Sequence, residues 1–307
     1  MRGTSEYPFR ARRKIESPIE EIKLFDDYLR NRPSGFSGSS RIAAALFCWL
    51  LSASAIAAAT DPFSRLADAY LVQIGEHELW AGQADKRLPP ASLTKVMTAL
   101  LVLEAYRPTQ IVTVSPSAAQ ATGSRIRLKS GDQLSVEALL AATLIASAND
   151  ACTALAEFNA GSVGAFVTKM NARAQTLGLG NTHFTNPCGF DAAEHYSSAN
   201  DLARIARAAL AHPEFAELVA KPEAEIATVD GRRRFRFKNK NALIGNYAPA
   251  VGVKTGYTSR AGKCLIVLAR KEGAQVLLVM LNAKSRWWDA IGIIENAFDE
   301  TGTHAAQ

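Results

Sequence analysis

Val251-Gly-Val-Lys-Thr-Gly-Tyr257, Lys263-Cys-Leu-Ile-Val-Leu-Ala-Arg270 and Ala274-Gln-Val-Leu-Leu-Val-Met-Leu-Asn282 follow one another near the end of a 307-residue chain. All three read as strands, the last two joined through Glu272-Gly273. Upstream, Asp230-Gly231 separates Glu-Ile-Ala-Thr-Val from Arg-Arg-Arg-Phe-Arg-Phe, a hairpin signal. The basic run 232–236 alternates with Phe235 and Phe237, which fits a half-exposed strand better than a polyanion patch. Far upstream, residues 69–74 and 78–82 flank Gly75-Glu76-His77 and predict another hairpin. Between these regions the periodicity turns helical. Residues 92–106 carry an apolar face (Val96, Met97, Leu100, Leu101, Leu103) and are bracketed by Pro89-Pro90 and Pro108. Ser135 is expected to cap a helix through Ala146, Asn149-Asp150 one beginning at Ala151, and Ser162 one running to about Leu177. Residues 198–211 predict an amphipathic helix stopped by Pro213, and a last helix covers roughly 286–299. This order predicts an α/β fold. Its antiparallel sheet is built from both chain ends, flanked by helices, with an all-helical subdomain inserted between.

Composition supports a folded chain. Apolar residues make up 48% and charged residues 21%, which excludes a disordered or collagen-like protein. Four cysteines without a CxxC pair are too few for a disulfide-dense scaffold, and five histidines show no HExxH and no Cys/His cluster. No metal site is expected. Residues 42–59 are uncharged, follow Arg41 and end in Ala57-Ala58-Ala59, the pattern of a secretory signal cleaved before Thr60. Eighteen such residues can also just span a bilayer, so an uncleaved signal anchor is the alternative. Residues 1–41, with nine basic and six acidic residues and a Ser/Gly-rich run from Ser34 to Ser40, predict a disordered extension or a wrongly assigned start. The expected organisation is therefore extension 1–41, signal peptide or anchor 42–59, one catalytic domain 60–300 and a tail 301–307. Without residues 1–59 the net charge falls from +6 to +3, too mild to argue for nucleic acid. Export implies an oxidising compartment, yet Cys152 and Cys264 lie in apolar runs and are expected to be buried thiols.

Three short motifs can carry chemistry. In Ser92-Leu93-Thr94-Lys95, a helical spacing of three puts the lysine beside the serine hydroxyl. The helix start favours an alkoxide, and burial of Lys95 beside Val96 and Met97 would lower its pKa and supply a neutral amine. Ser147-Ala148-Asn149 lies at a break between two predicted helices, where a hydroxyl can relay a proton and an amide can hold a substrate backbone group. Ser198-Ala199-Asn200 has the same letters, but Ser198 there reads as an N-cap. Lys254-Thr255-Gly256 lies on a predicted strand: lysine and hydroxyl can bind a carboxylate, and glycine permits close approach of a substrate backbone. The N–H groups of Tyr257 and Ser92 could face one oxyanion.

Each motif alone is weak. In this order, with 55 residues from Ser92 to Ser147 and 105 from Asn149 to Lys254, the set resembles the serine D-alanyl-D-alanine carboxypeptidases, the low-molecular-mass penicillin-binding proteins. The resemblance runs from about Asp68 to Phe298. It includes Pro90-Ala-Ser-Leu-Thr-Lys-Val-Met-Thr98, Ser147-Ala-Asn-Asp-Ala-Cys152, Asn181-Thr-His-Phe-Thr-Asn-Pro187, Tyr196-Ser-Ser-Ala199 with Asp201, and Val253-Lys-Thr-Gly-Tyr-Thr258. It implies a β-lactamase/DD-peptidase-like fold and a DD-carboxypeptidase acting on peptidoglycan stem peptides. Ser92 would be the acylated nucleophile, Lys95 its activator and Ser147 the proton relay to the leaving amine. Asn149, Lys254, Thr255, Gly256 and Tyr257 would bind substrate.

The resemblance implies no metal or organic cofactor and no nucleic-acid partner. β-Lactams would be covalent inhibitors. The enzyme would act in the periplasm or on the outer face of the bacterial inner membrane, with membrane contact only through residues 42–59 if these stay uncleaved. Three departures stand out. Longer members with a second, all-β domain and a C-terminal anchor extend beyond the point where this sequence ends, so their mode of membrane attachment is not carried over. Cys188 stands where many relatives have histidine, and Tyr257 where some do. Lys240 occupies the region where many relatives hold an arginine, in a loose alignment. An endopeptidase cutting cross-bridges is the alternative that shares the same acyl donor. A β-lactamase is disfavoured because no ExxLN occurs between 150 and 253 and position 148 is alanine.

Overall fold

The computed structural model describes Phe63 and residues 65–304, so the expected extension and signal segment lie outside the described residues. The elements begin with β1 (Ala67–Ile74), β2 (His77–Gly82), a 3₁₀ turn (Ala91–Thr94), α1 (Lys95–Ala105), β3 (Ile111–Thr113), α2 (Pro116–Ala119) and β4 (Gln133–Ser135). Next come α3 (Val136–Leu144), α4 (Asn149–Ala160), α5 (Val163–Thr176), α6 (Ala199–Leu210) and α7 (Pro213–Ala220). The chain closes with β5 (Glu223–Ala227), β6 (Arg234–Lys238), β7 (Ala250–Thr258), β8 (Gly262–Lys271), β9 (Ala274–Ala283) and α8 (Arg286–His304).

The expected sheet is present. Its order is β2-β1-β9-β8-β7 with every neighbour antiparallel, so the first hairpin docks on the last one. Leu71 pairs with Val279, which pairs with Ile266. β8 and β9 read as near-continuous apolar runs because both faces are covered. Leu277, Val279 and Leu281 join the main core with the helical block, α6 included. The alternate residues Leu278 and Met280 are equally buried on the other face, where α8 packs with Trp287, Ile293 and Ile294. No described helix is long and apolar enough to cross a membrane.

Local chemistry explains most helix starts. Ser135, Ser162 and Ser198 each accept the N–H three residues on, from Ala138, Ala165 and Asp201. Ser198 is therefore a cap, as read. α4 differs from expectation: it begins at Asn149, and no side chain caps it. Asp150, inside its first turn, accepts the N–H groups of Ala151 (3.0 Å), Ile126 (3.3 Å) and Leu128 (3.0 Å), tying the loop before β4 to the helix start. Pro213 ends one helix and opens another, α7, where its missing N–H costs nothing. The three-residue strands β3 and β4 are too short for a period of two to register in sequence. On β6, Arg234, Arg236 and Lys238 are exposed while Phe235 and Phe237 turn inward, the half-exposed strand expected.

Candidate active site

Ser92 sits on the 3₁₀ turn rather than on the α-helix proper, half-buried, directly before Lys95 opens α1. The turn is stiffly held. Ala91 has a left-handed φ of 48°, sparsely populated for a residue with a Cβ. Its carbonyl accepts the Thr94 hydroxyl at 2.8 Å, and Thr94 in turn lies 2.9 Å from His195 Nε2. His195 Nδ1 accepts the Thr185 N–H, so Nε2 carries the proton and donates to Thr94. Burial, followed by the charge of His183, lowers the His195 pKa to about 4, which keeps this imidazole neutral. None of this was read from sequence, because the histidine lies 101 residues from Thr94.

Lys95 is fully buried. Its Nζ lies 3.0 Å from Ser92 Oγ and donates to the Cys188 carbonyl at 2.5 Å. Desolvation first, and the nearby charge of Lys254 second, push its pKa well below the usual lysine range. Lys254, 1% exposed on β7, donates to the Thr255 carbonyl at 3.0 Å. Burial, then Arg286, then Lys240 lower its pKa to about 7. Both lysines are thus easier to deprotonate than a free lysine. Burial biases Lys95 toward its neutral amine, and Lys254 titrates near neutral pH.

β7 is the edge of the sheet, and its KTG stretch passes flush against the serine turn. A Cβ on Gly256 would stand 3.0 Å from Pro90 O, Ala91 Cβ and Ser92 N, so glycine gives this approach its room. Thr255 is buried beside it, while Tyr257 is 53% exposed at the rim. Arg286 at the start of α8 donates to the carbonyls of Gly256 (3.0 Å) and Cys264 (3.3 Å) and fixes the KTG strand from behind. Sequence reading gave Arg286 no role beyond opening the last helix.

Ser147 occupies the bend between α3 and α4 with a left-handed φ of 57°. Its hydroxyl shares no hydrogen bond with Ser92 or Lys95 among the described residues. The bend is linked to the two lysines through other residues. Ile145 O accepts the N–H of Lys240, whose charge acts on Lys254. Asn149 O lies 3.7 Å from Cys188 Sγ, and the Cys188 carbonyl holds Lys95. The Asn149 side chain donates to Thr122 O at 2.7 Å. Ser92, Lys95, Lys254, Thr255 and Gly256 are thus brought together directly, and Ser147 and Asn149 through intervening residues.

One expectation is corrected. Cys152 is not a free thiol: it is disulfide-bonded to Cys188, with Cα atoms 6.0 Å apart. The apolar run around Cys152 concealed the pairing because its partner lies 36 residues away in another motif. Cys264 is the buried free thiol expected, its pKa pushed up to about 11 chiefly by burial.

Comparison with known proteins agrees with this geometry. The sequence profile of the D-alanyl-D-alanine carboxypeptidase family, peptidase family S11, matches residues 73–285. The D-alanyl-D-alanine carboxypeptidase DacF of Bacillus subtilis is 38% identical over 74% of this chain, and the match spans only 60% of that relative's length. A D-alanyl-D-alanine endopeptidase of Pseudomonas aeruginosa is 32% identical, the match covering 68% of each protein. The crystal structure of the Streptomyces K15 DD-transpeptidase superposes with a TM-score of 0.72 and 31% identity, covering 76% of this chain and 97% of the other. A serine turn backed by a buried amine, a strained SxN bend and a KTG edge strand accompany a profile match across more than half the sequence, and the chain belongs to the D-alanyl-D-alanine carboxypeptidase family.

Proposed function

We propose that this chain is a serine DD-carboxypeptidase that removes the terminal D-alanine from peptidoglycan stem peptides through an acyl-enzyme on Ser92. The observation that carries the proposal is the 3.0 Å approach of Ser92 Oγ to the fully buried amine of Lys95. A neutral amine accepts the serine proton as Oγ attacks the carbonyl of the D-Ala–D-Ala bond. The negative charge that develops on the carbonyl oxygen falls between the N–H groups of Ser92 and Tyr257. Ser147 passes a proton to the leaving amine, the C–N bond breaks, and D-alanine departs. Asn149 holds the substrate backbone. Lys254 and Thr255 bind the terminal carboxylate, with Lys240 adding positive field at the rim. Gly256 lets the substrate lie against β7. Water then hydrolyses the ester and restores the Ser92 hydroxyl.

β-Lactams would acylate the same serine, and the chemistry calls for no metal or organic cofactor. The reading also places residues 60–300 as the catalytic domain of an exported protein in the periplasm or on the outer membrane face, with residues 42–59 as signal or anchor. Labelling the full chain with a fluorescent penicillin, followed by peptide mapping, should find the adduct on Ser92. Incubation with a pentapeptide stem should release D-alanine. A Ser92→Ala protein that still releases D-alanine at the wild-type rate would refute the mechanism.

The similarity to the Pseudomonas endopeptidase supports a second reading, hydrolysis of cross-bridges by the same acyl-enzyme. Digestion of crosslinked muropeptides separates the two: conversion of dimers to monomers without D-alanine release favours the endopeptidase. Many turnovers of nitrocefin per active site would instead favour a β-lactamase.

A further inference from the structure

We propose that the Cys152–Cys188 disulfide is a brace that positions the Lys95 amine, making the two cysteines positioning residues for the acylation step. The inference rests on the functional reading above and goes beyond it. Two successive carbonyls of the 187–188 segment receive side chains from one face of α1. Pro187 O takes the Thr98 hydroxyl at 2.6 Å, and Cys188 O takes Lys95 Nζ at 2.5 Å. Asn186 Oδ1 collects the N–H groups of Cys188 (3.2 Å), Gly189 (2.7 Å) and Phe190 (2.9 Å), which shapes the segment from below. These bonds set its curvature. What ties it to α4 is the sulfur bridge to Cys152, one helical turn past Asn149. Both cysteines are buried, and α1, α4 and the 186–190 segment converge on the bridge.

The reason the amine needs this acceptor is stereochemical. A neutral amine has two N–H bonds and one lone pair. With one N–H committed to the Cys188 carbonyl, the lone pair can turn to the Ser92 hydroxyl. A carbonyl free to swing would let the amine rotate, and geometry errors of about 1 Å cost on the order of 100-fold in rate. A disulfide fixes the peptide without adding a titrating group. The groups whose fields reach Lys95 are Lys254 on β7 and His195 on the segment before α6.

The test measures acylation of the full chain by a fluorescent penicillin across pH, for wild type and for a Cys152→Ala, Cys188→Ala double variant. A non-reducing peptide map of the wild type should contain the Cys152 peptide linked to the Cys188 peptide. The double variant should acylate at least tenfold more slowly. The acid limb of its pH profile should move to higher pH, because a loosened segment admits water to the ammonium form. Wild type treated with dithiothreitol should show the same change: the bridge takes two electrons and two protons to give two thiols while the reagent closes to its cyclic disulfide. The double variant should not respond to the reagent. Unlinked cysteines, a rate within twofold of wild type, or an acid limb that stays in place or moves down would overturn the brace. If the double variant does not fold, the dithiothreitol arm on the wild type decides. A wild type that is not acylated at Ser92 removes the functional reading itself, whereas an acylated wild type with an indifferent double variant removes only the brace.

Discussion

Replacing Gly256 with alanine tests the coupling between the KTG strand and the serine turn. The added Cβ would stand 3.0 Å from Pro90 O, Ala91 Cβ and Ser92 N, two of which are backbone atoms. Such contacts are tighter than side chains ordinarily make, so strand and turn must part by a few tenths of an ångström. Neither side can yield easily. β7 is hydrogen-bonded along its length to β8 and held behind by Arg286, and the turn is held through Thr94 and His195. Overpacking of this kind costs about 1–3 kcal/mol, and at about 2–4 °C per kcal/mol the melting temperature should fall by roughly 5 °C. The displacement acts on the place where the acyl oxygen would sit, so acylation by penicillin should slow by about 10-fold. Gly292 supplies the control: it lies within α8 with open space where an added methyl would stand, so Gly292→Ala should leave acylation unchanged and stabilise by about 1 kcal/mol. A Gly256→Ala protein that melts lower but acylates within threefold of wild type would refute the idea that this approach sets the reacting geometry.

Lys95→Ala should remain folded, since burial already penalises the ammonium form, and should lose about 10²–10⁴ in acylation rate, measured by single-turnover labelling. For a carboxylate-bearing peptide, kcat/KM should decline as pH rises past about 7, where free Lys254 loses its proton. The bound carboxylate stabilises the ammonium, so the alkaline limb of kcat should lie higher than that of kcat/KM; coincident limbs would count against Lys254 as the carboxylate partner. Arg286→Met removes a charge that lowers the Lys254 pKa, and the alkaline limb of kcat/KM should move to higher pH. Asp150→Ala strands the N–H groups of Ile126 and Leu128 and should cost about 3 kcal/mol in denaturant unfolding.

The strand runs 251–257, 263–270 and 274–282 and the hairpin at Gly75 were legible because strand signals and turn residues are local properties. The serine caps at positions 135, 162 and 198 were legible for the same reason. The Ser92–Lys95 contact also needed only local geometry, a spacing of three along a helical turn. By itself the sequence thus determined the order of the main strands and helices, the sheet drawn from both ends of the folded region and the reactive pair, but not the short β3, β4, α2 and α7. The tertiary structure alone decided how that pair is supported. His195 meets Thr94 across 101 residues, Arg286 meets Gly256 across 30, and Cys188 reaches Lys95 across 93 while bonding to Cys152. No periodicity records such meetings, because they arise when distant segments pack against one another and burial forces each polar group to find a partner.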